Sequence, residues 1–171
     1  MTVRVGILTV SDKASRGRRD ATSGPAIKEM LAAIDAAVER YAVVPDEVEE
    51  IASHLRQWSD EGAFDIILTT GGTGLAPRDV TPEATLSVID RLAPGIPEAM
   101  RQEGLRHTPR AMLSRAVAGV RGETLIINLP GSERAVRESL ACLMPVLEHA
   151  VETVKGLVGD HAPLPSAPAR G

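Results

Sequence analysis

The chain has 171 residues, of which 43% are hydrophobic and 25% charged, with a formal net charge of −4 and one cysteine. This length suits a single domain with a sizeable core, and one cysteine excludes a disulfide framework or a multi-cysteine zinc site. The negative charge, the 2% aromatic content and the lack of a long apolar run or signal peptide predict a soluble cytoplasmic protein that binds neither nucleic acid nor membrane.

Strand and helix patterns alternate through the first half of the chain. Short runs rich in Val and Ile indicate strands, and apolar residues spaced three and four apart indicate helices. The predicted elements are a strand at Val3–Val10, a helix capped by Thr22 or Ser23 and running through Ile34, a strand at 38–44, a helix beginning at Asp46 and a strand at 65–70. The last run has three consecutive apolar residues at 66–68 without polar alternation, which is typical of a strand covered on both faces in a parallel sheet.

The same alternation continues in the second half. The predicted elements are a helix with Thr81 as N-cap and Pro82 at its first position, a helix at 96–106, a strand or irregular edge at 113–120, a strand at Thr124–Leu129 and a helix after Ser132. Leu86 and Ile89 are expected to face the core, and Pro145 is expected to kink or divide the last helix. The tail at 160–171 is expected to be disordered, which leaves one domain over residues 1–159. The alternation predicts an α/β fold with a parallel sheet and helices on both faces.

The loops that leave the strands are the candidate site, because ligands of such sheets bind beyond the carboxyl ends of the strands. Gly71, Gly72, Thr73 and Gly74, here called the glycine loop, follow the third strand. Glycines permit positive φ and allow N–H groups to converge on an anion. The loop lacks the lysine of a P-loop and the third glycine of a dinucleotide fingerprint. Phosphate binding and a plain tight turn explain these residues equally well.

Two aspartates lie close to these loops. Asp79 is not needed as a helix cap, since Thr81 can fill that role, and a carboxylate beside a phosphate site calls for a cation between them. Mg²⁺ held by one or two carboxylates and by substrate phosphates would meet that need; a solvated acid beside Arg78 is the alternative. Asp46 can cap its own helix in a capping box with Glu49, or it can face the site.

Two further segments can bind anions at the same edge of the sheet. Residues 129–132 form a strand-to-helix turn, in which Ser132 can cap the last helix and the helix N-terminus can hold an anion; a well-made turn is as good an interpretation. Arg16, Arg18 and Arg19 suit phosphate or carboxylate recognition, although a solvated basic loop is the commoner case.

The strings themselves resemble a known family. Residues 69–85, TTGGTGLAPRDVTPEAT, closely resemble the signature of molybdopterin adenylyltransferases. Further matches follow in the same order as in the family, at 8–12 (LTVSD) with Ser15, at 45–47 (PDE), at 113–117 (LSRAV) and at 128–132 (NLPGS). The resemblance extends over about residues 3–158.

Membership of this family would imply a three-layer α/β/α sandwich with a mostly parallel sheet, usually assembled as a homotrimer. It would imply Mg²⁺, with ATP and molybdopterin as substrates, adenylylated molybdopterin and pyrophosphate as products, and other molybdenum cofactor enzymes as candidate partners. The family's catalytic aspartates fall on Asp46 and Asp79, which we expect to hold Mg²⁺. The residues implied in substrate or nucleotide binding are Ser11, Asp12, Thr70, Gly71, Gly72, Thr73, Gly74, Asn128, Pro130, Gly131 and Ser132.

The implied chemistry agrees with the residue types. A molybdopterin phosphate that attacks the α-phosphorus of ATP is already anionic, so the enzyme must supply positioning and charge neutralisation rather than a strong base. A molybdopterin-binding or carrier module without turnover is the first alternative, and a scaffolding protein is the second. The pair Asp46 and Asp79 favours the enzyme, because a pure binder has little use for two acids beside a phosphate site.

Overall fold

The computed structural model describes residues 1–18 and 21–159, so that Arg19 and the predicted tail at 160–171 lie outside it. The strands are β1 (Val3–Val10), β2 (Ala36–Val44), β3 (Ile66–Thr70), β4 (Arg91–Leu92), β5 (Ala118–Arg121) and β6 (Thr124–Leu129). The helices are α1 (Asp12–Ser15), α2 (Ser23–Leu31), α3 (Val48–Asp60), α4 (Thr81–Leu86), α5 (Gly95–Leu105) and α6 (Glu133–Val154), with a short 3-10 helix at Pro109–Leu113.

The strands form one sheet in the order β2-β1-β3-β6-β5-β4. The pairs β2–β1, β1–β3 and β3–β6 are parallel, whereas β6–β5 and β5–β4 are antiparallel. The mostly parallel α/β sheet predicted from the sequence is therefore confirmed. Because β1, β3 and β6 are adjacent and parallel, the loops that follow them emerge side by side at one edge.

Helices cover both faces of the sheet, because successive residues of a strand point to opposite sides. Val5 and Ile7 of β1 belong to one apolar cluster, which includes residues of α2, α5 and α6. Leu8 and Val10 belong to a second cluster, which includes residues of α3 and α4. The three-layer α/β/α arrangement follows from these two cores. Within the described residues, no helix has the length and apolar character needed to cross a membrane.

The stretch between α4 and β5 departs most from the prediction. The stretch at 113–120, predicted as a strand or an irregular edge, is irregular in its first half and a strand in its second, since the 3-10 helix ends at Leu113 and β5 begins only at Ala118. The two-residue strand β4 was not foreseen, because so short an edge strand has no alternation of its own. Leu86 is 48% exposed rather than buried, since α4 ends at this residue.

Two details also need correction, namely the N-cap of α4 and the division of the last helix at Pro145. Val80, not Thr81, occupies the N-cap of α4, and the Thr81 hydroxyl instead donates to the carbonyl oxygen of Gly71 at 2.9 Å. Helix α6 runs through Pro145 without division. One face of α6, with Leu140, Leu143 and Leu147, is fully buried, and this packing outweighs the hydrogen bond that proline removes.

Asn128 links three elements inside the core. Its side chain is fully buried, and its amide nitrogen donates to the hydroxyls of Thr69 at 3.0 Å and Thr85 at 2.9 Å. Its carbonyl oxygen accepts from the backbone N–H of Val117 at 3.2 Å. Asn128 thereby ties β6 to β3, to α4 and to the segment that leads into β5.

Asp65 performs a similar role at the amino ends of the parallel strands, directly before β3. Its carboxylate is 1% exposed and accepts from the backbone N–H of Arg4 at 2.7 Å, from the Arg4 guanidinium at 2.9 Å and from the Lys155 ammonium. Burial alone would raise the pKa of Asp65, but these bonds from Arg4 and Lys155 outweigh it and lower the pKa to about 2.

We expect Asn128→Ala to lower the free energy of unfolding by about 1–3 kcal/mol, because it leaves the buried Thr69 hydroxyl and the Val117 N–H without their partner. Urea unfolding at neutral pH measures this change. Unaltered stability would contradict the structural role of Asn128.

We expect Asp65→Asn to destabilise the fold at neutral pH, while Asp60→Asn, which alters an exposed ion pair, has little effect. The folded pKa of Asp65 lies below that of the unfolded chain, so its contribution is present above about pH 4 and is lost as the pH falls towards about 2. Unfolding curves of both variants and the wild type between neutral and acid pH test this. A wild-type advantage over Asp65→Asn that stays constant down to the acid end would contradict it.

Candidate active site

A cavity of about 330 Å³ lies at the carboxyl ends of β1, β3 and β6. We call it the aspartate cavity, after the two acids in its wall. Its lining comprises Thr9, Val10, Ser11, Ala14, Ala21, Thr22, Ser23, Asp46, Thr70, Gly71, Gly72, Asp79, Gly131 and Ser132. The loops selected from the sequence therefore meet at one place, and both predicted catalytic aspartates face it.

The first two glycines of the glycine loop are required by packing. Gly71 and Gly72 have φ angles of 100° and 67°, in the region that favours glycine. A Cβ on Gly71 would overlap the carbonyl oxygen of Val10, and one on Gly72 would overlap the Thr81 hydroxyl and lie 3.1 Å from an Asp46 oxygen. The loop backbone can thus approach Val10 closely only because Gly71 lacks a side chain, and Thr81 and Asp46 only because Gly72 does.

The N–H groups of the glycine loop divide into two kinds. That of Gly71 donates to the carbonyl oxygen of Leu129 at 3.2 Å, so it serves the turn rather than a ligand. Those of Gly72, Thr73 and Gly74 donate to no group in the part of the chain that the structure describes. The loop is therefore both a tight turn and a set of donors open to an anion.

Asp46 is bonded to Asp12 rather than to its own helix. The Asp12 N–H donates to an Asp46 carboxylate oxygen at 2.8 Å, and the Asp46 N–H donates to an Asp12 carboxylate oxygen at 3.0 Å. Glu47 is the N-cap of α3, and no side chain caps that helix. The interpretation of Asp46 as a helix cap with Glu49 is therefore wrong, and its carboxylate is left facing the cavity.

The electrostatic surroundings of the two acids differ. Burial raises the pKa of Asp46, and the charges of Asp12 and Asp79 raise it further, against a lowering by the hydrogen bond from Asp12. Asp79 lies closer to solvent and accepts the N–H of Ala76 at 3.0 Å. An added positive charge in the cavity would relieve the repulsion between Asp46 and Asp79.

Arg78 does not pair with Asp79, although the two are adjacent in sequence. Its guanidinium donates to both carboxylate oxygens of Asp12 at 3.0 Å and to Glu47 at 2.8 Å. This bidentate pair lowers the pKa of Asp12, so Asp12 is held as a carboxylate that already has partners. Asp12 lies outside the cavity lining and orients Asp46.

Hydroxyl groups and helix N-termini form much of the remaining cavity wall. Ser11 caps α1 by accepting the N–H of Ala14, and Ser132 caps α6 by accepting the N–H of Ala135. The N-terminus of the 22-residue helix α6 thus adjoins the cavity, where its partial positive charge favours an anion. The predicted Ser132 cap is confirmed. The Thr70 hydroxyl donates to Pro130 at 2.7 Å and connects the two loops.

Some sequence candidates lie away from the aspartate cavity. Asn128 is buried in the core with its polar atoms bonded to protein, so its assignment to ligand binding needs correction.

Thr73, Gly74 and Pro130 line a neighbouring cavity of about 360 Å³ on the other side of the glycine loop. This second cavity, here called the apolar cavity, is lined by Thr73, Gly74, Met100, Arg101, Gly104, Thr108, Arg110, Ala111, Leu113, Ser114, Pro130, Ser132, Ala135, Glu138 and Ser139. Ser132 lines both cavities, which therefore adjoin.

Arg115 was missed as a site residue by sequence reasoning. It lies in the LSRAV string, and its guanidinium bonds to the glycine loop and to the backbone of Asp79. No local pattern could have revealed this, because the partners are 36 and 41 residues away. Only the resemblance at 113–117 drew attention to the segment.

Comparisons with known proteins agree with this geometry. Helicobacter pylori strain J99 has a molybdopterin adenylyltransferase that is 41% identical over 157 residues, which cover 91% of this chain and 89% of that protein. The one from Escherichia coli K12 is 44% identical over 141 residues, covering 81% and 72%. A crystal structure of the molybdopterin biosynthesis enzyme MoaB from Thermus thermophilus is 58% identical, covers 90% of this chain and 97% of that chain, and superimposes with a TM-score of 0.86.

The sequence profile of the family described as "Probable molybdopterin binding domain" matches residues 6–149. This match includes the glycine loop, both cavity aspartates and the N-terminus of α6. The chain belongs to this molybdenum cofactor biosynthesis family of molybdopterin-binding domains.

Proposed function

We propose that this chain is a molybdopterin adenylyltransferase, which transfers AMP from Mg-ATP to molybdopterin in molybdenum cofactor biosynthesis. The observation that carries this proposal is the aspartate cavity, in which two carboxylates face N–H donors and a helix N-terminus. Donors of this kind suit phosphates, and carboxylates among them suit a cation bound to those phosphates. The names of the relatives from H. pylori and E. coli support the same reaction.

The reaction needs few groups from the protein. A phosphate oxygen of molybdopterin forms a bond to the α-phosphorus of ATP, the bond from that phosphorus to the oxygen bridging the α- and β-phosphorus atoms breaks, and pyrophosphate departs with the electron pair. The nucleophile is already anionic, so no proton has to be removed from it. The chain's own residues therefore act by binding and aligning two polyanions and by excluding water. The Gly72 N–H and the N-terminus of α6 are the donors placed for this task in the aspartate cavity. The N–H groups of Thr73 and Gly74, which also donate to no group in the described part of the chain, lie where the loop borders the apolar cavity.

Asp46 and Asp79 fit a magnesium ion. Mg²⁺ is bound in such sites by one or two carboxylates together with substrate phosphates. Among the described residues, no three His, Cys, Asp or Glu side chains are grouped so that they could hold a metal ion by themselves, so the substrate phosphates would have to supply the remaining ligands. The pKa of Asp46 is raised in part by the charge of Asp79, because the two carboxylates repel one another across the cavity. When bound, the ion would neutralise charge on the phosphates.

The apolar cavity next to the glycine loop provides room for the pterin ring. It adjoins the aspartate cavity at Ser132, so a ligand in one can reach the other past the loop. Met100, Ala111 and Leu113 supply apolar surface there, as sites for flat heterocycles generally do. We place the triphosphate in the aspartate cavity and the pterin in the apolar cavity, with the acceptor phosphate between them.

The family resemblance also leads us to propose a homotrimer that acts in the cytoplasm beside other enzymes of the pathway. Exposed apolar side chains such as Leu92 and Val146 support an assembly, because they lie in or beside a mainly apolar groove of α5 and α6.

We expect Asp46→Asn and Asp79→Asn each to reduce molybdopterin-dependent pyrophosphate release from Mg-ATP by about 100-fold or more. Each change removes a charge that would hold the cation, while the amide keeps nearly the same shape. Release of pyrophosphate is measured with and without molybdopterin, and Asp35→Asn, at an exposed acid outside the cavity, serves as the matched control.

Full activity of Asp79→Asn at saturating Mg²⁺ would contradict the assignment of Asp79. Molybdopterin binding by the wild type without any pyrophosphate release would instead favour the carrier module.

We further expect the pKa of Asp46 to fall in Asp79→Asn and on addition of Mg²⁺ to the wild type. Burial and the neighbouring negative charges hold this pKa above its ordinary value. Removal of one negative charge, or addition of a positive one, favours the ionised form and lowers the pKa. Carboxyl NMR titration of aspartate-labelled protein measures it, and a pKa unaffected by Mg²⁺ would argue against Asp46 as a ligand.

A further inference from the structure

The segment that joins the glycine loop to Asp79 has few bonds of its own. The Asp79 N–H donates to the carbonyl oxygen of Ala76 at 2.9 Å, and the Ala76 N–H donates back to the Asp79 carboxylate at 3.0 Å. Leu75 is 63% exposed and contributes little packing. This turn fixes its internal shape, but it does not fix the position of Asp79 relative to the sheet.

Arg115 contacts both ends of this segment. Its main-chain N–H donates to the carbonyl oxygen of Thr73 at 2.8 Å. Its Nε donates to the carbonyl oxygen of Gly74 at 2.8 Å, and its Nη2 donates to the carbonyl oxygen of Asp79 at 2.6 Å. Its Nη1 pairs with the Glu83 carboxylate of α4. Arg115 therefore bonds to both ends of the segment, and its guanidinium links Gly74 directly to the Asp79 backbone. The Thr81 N–H and hydroxyl hold the following residues against the carbonyl oxygens of Gly72 and Gly71.

The backbone that carries Arg115 is itself held by a second arginine. The Arg101 guanidinium of α5 donates to the carbonyl oxygens of Ser114 at 3.3 Å and Ala116 at 3.1 Å, on either side of Arg115. The bonds therefore run from α5 through residues 114–116 to the Arg115 guanidinium and on to Asp79. Helix α5 thus helps to position the Arg115 guanidinium, through the bonds from Arg101 to the backbone on either side of it.

Lysine could not replace Arg115 in this arrangement. Three groups accept hydrogen bonds from the Arg115 side chain, namely the carbonyl oxygens of Gly74 and Asp79 and the Glu83 carboxylate. They lie in different directions around the guanidinium plane, and each accepts a different N–H. An ammonium group is a point charge without this fixed fork. The side chain of Arg115 is 35% exposed, so small cations can enter its place from solution if it is removed.

We propose that Arg115 is a positioning residue, which holds the Asp79 backbone at a fixed distance from the glycine loop so that the Asp79 carboxylate meets the bound phosphates. The effect on turnover rests on the proposed adenylyl transfer, whereas the effect on the loop does not. Arg115 acts through Asp79 and the loop N–H groups, and its role needs no direct contact with substrate.

The test compares Arg115→Ala and Arg115→Lys with Arg121→Ala as the matched control. Arg121 also bonds to a carboxylate and a main-chain carbonyl, those of Asp60 and Val88, but it lies outside both cavities. We expect Arg115→Ala to lower kcat by about 10- to 100-fold, since a small misplacement of a reacting group has this effect. Arg115→Lys should behave similarly, and millimolar guanidinium should restore part of the activity of Arg115→Ala alone.

Hydrogen–deuterium exchange supplies a readout that does not depend on turnover. We expect the Ala76 and Asp79 amides, whose hydrogen bonds close the turn at 76–79, to exchange faster in Arg115→Ala than in the wild type or in Arg121→Ala, while the Tm of the two alanine variants falls alike. Unchanged kcat in Arg115→Ala, unchanged exchange of these two amides, or an equal loss of kcat in Arg121→Ala would overturn the proposal. If the wild type itself showed no adenylyl transfer, the proposed function would fail, and the exchange data would still decide whether Arg115 holds the loop.

Discussion

The repulsion between two carboxylates held in one cavity is the interaction on which the site depends. Asp46 and Asp79 would move apart in a flexible chain, and Asp46 has a raised pKa because it is partly buried beside Asp12 and Asp79. The protein holds each acid both by its backbone and by a main-chain N–H that donates to one oxygen of its carboxylate. The Asp12 and Asp46 peptide groups bond reciprocally to each other's carboxylates, while the turn at Ala76 and the Arg115 guanidinium hold Asp79. Each carboxylate thus keeps an oxygen atom that faces the cavity, and these are the atoms to which we assign the proposed cation.

The sheet makes this arrangement rigid. Parallel pairing of β1, β3 and β6 brings their carboxyl ends to one edge, and buried hydrogen bonds join that edge to the layer of α3 and α4. The Thr81 hydroxyl donates to Gly71, the Thr85 hydroxyl donates to the Thr81 carbonyl, and the Asn128 amide donates to Thr85. This continuous series of bonds connects the centre of the core to the glycine loop. It explains why Asn128 belongs to the recognisable strings of the sequence although it lies in the core.

Most of the fold could be predicted from the sequence, because buried strands and long amphipathic helices carry their own signal. Val3–Val10 and Thr124–Leu129 have the predicted bounds, since each apolar run is ended by a polar or turn-forming residue. The secondary structure at 113–120 could not be predicted from the sequence, because the backbone there is held by the preceding 3-10 helix and by hydrogen bonds from Arg101. The sequence also located the loops of the site, but it could not assign their bonds. Asp46 fits a helix cap as well as a cavity acid, and the partners of Arg78 and Arg115 are brought together only by folding.

The proposed adenylyl transfer requires that a phosphate bound beside the glycine loop attacks the α-phosphorus of ATP in the aspartate cavity. Transfer of label from ATP radiolabelled at the α-phosphorus tests it most directly, with parallel reactions labelled at the γ-phosphorus. We expect the α-label to move to the pterin product and the γ-label to leave in pyrophosphate, only when both molybdopterin and Mg²⁺ are present. Transfer of the γ-label to the pterin, or an α-label that never leaves the adenine nucleotides, would contradict it.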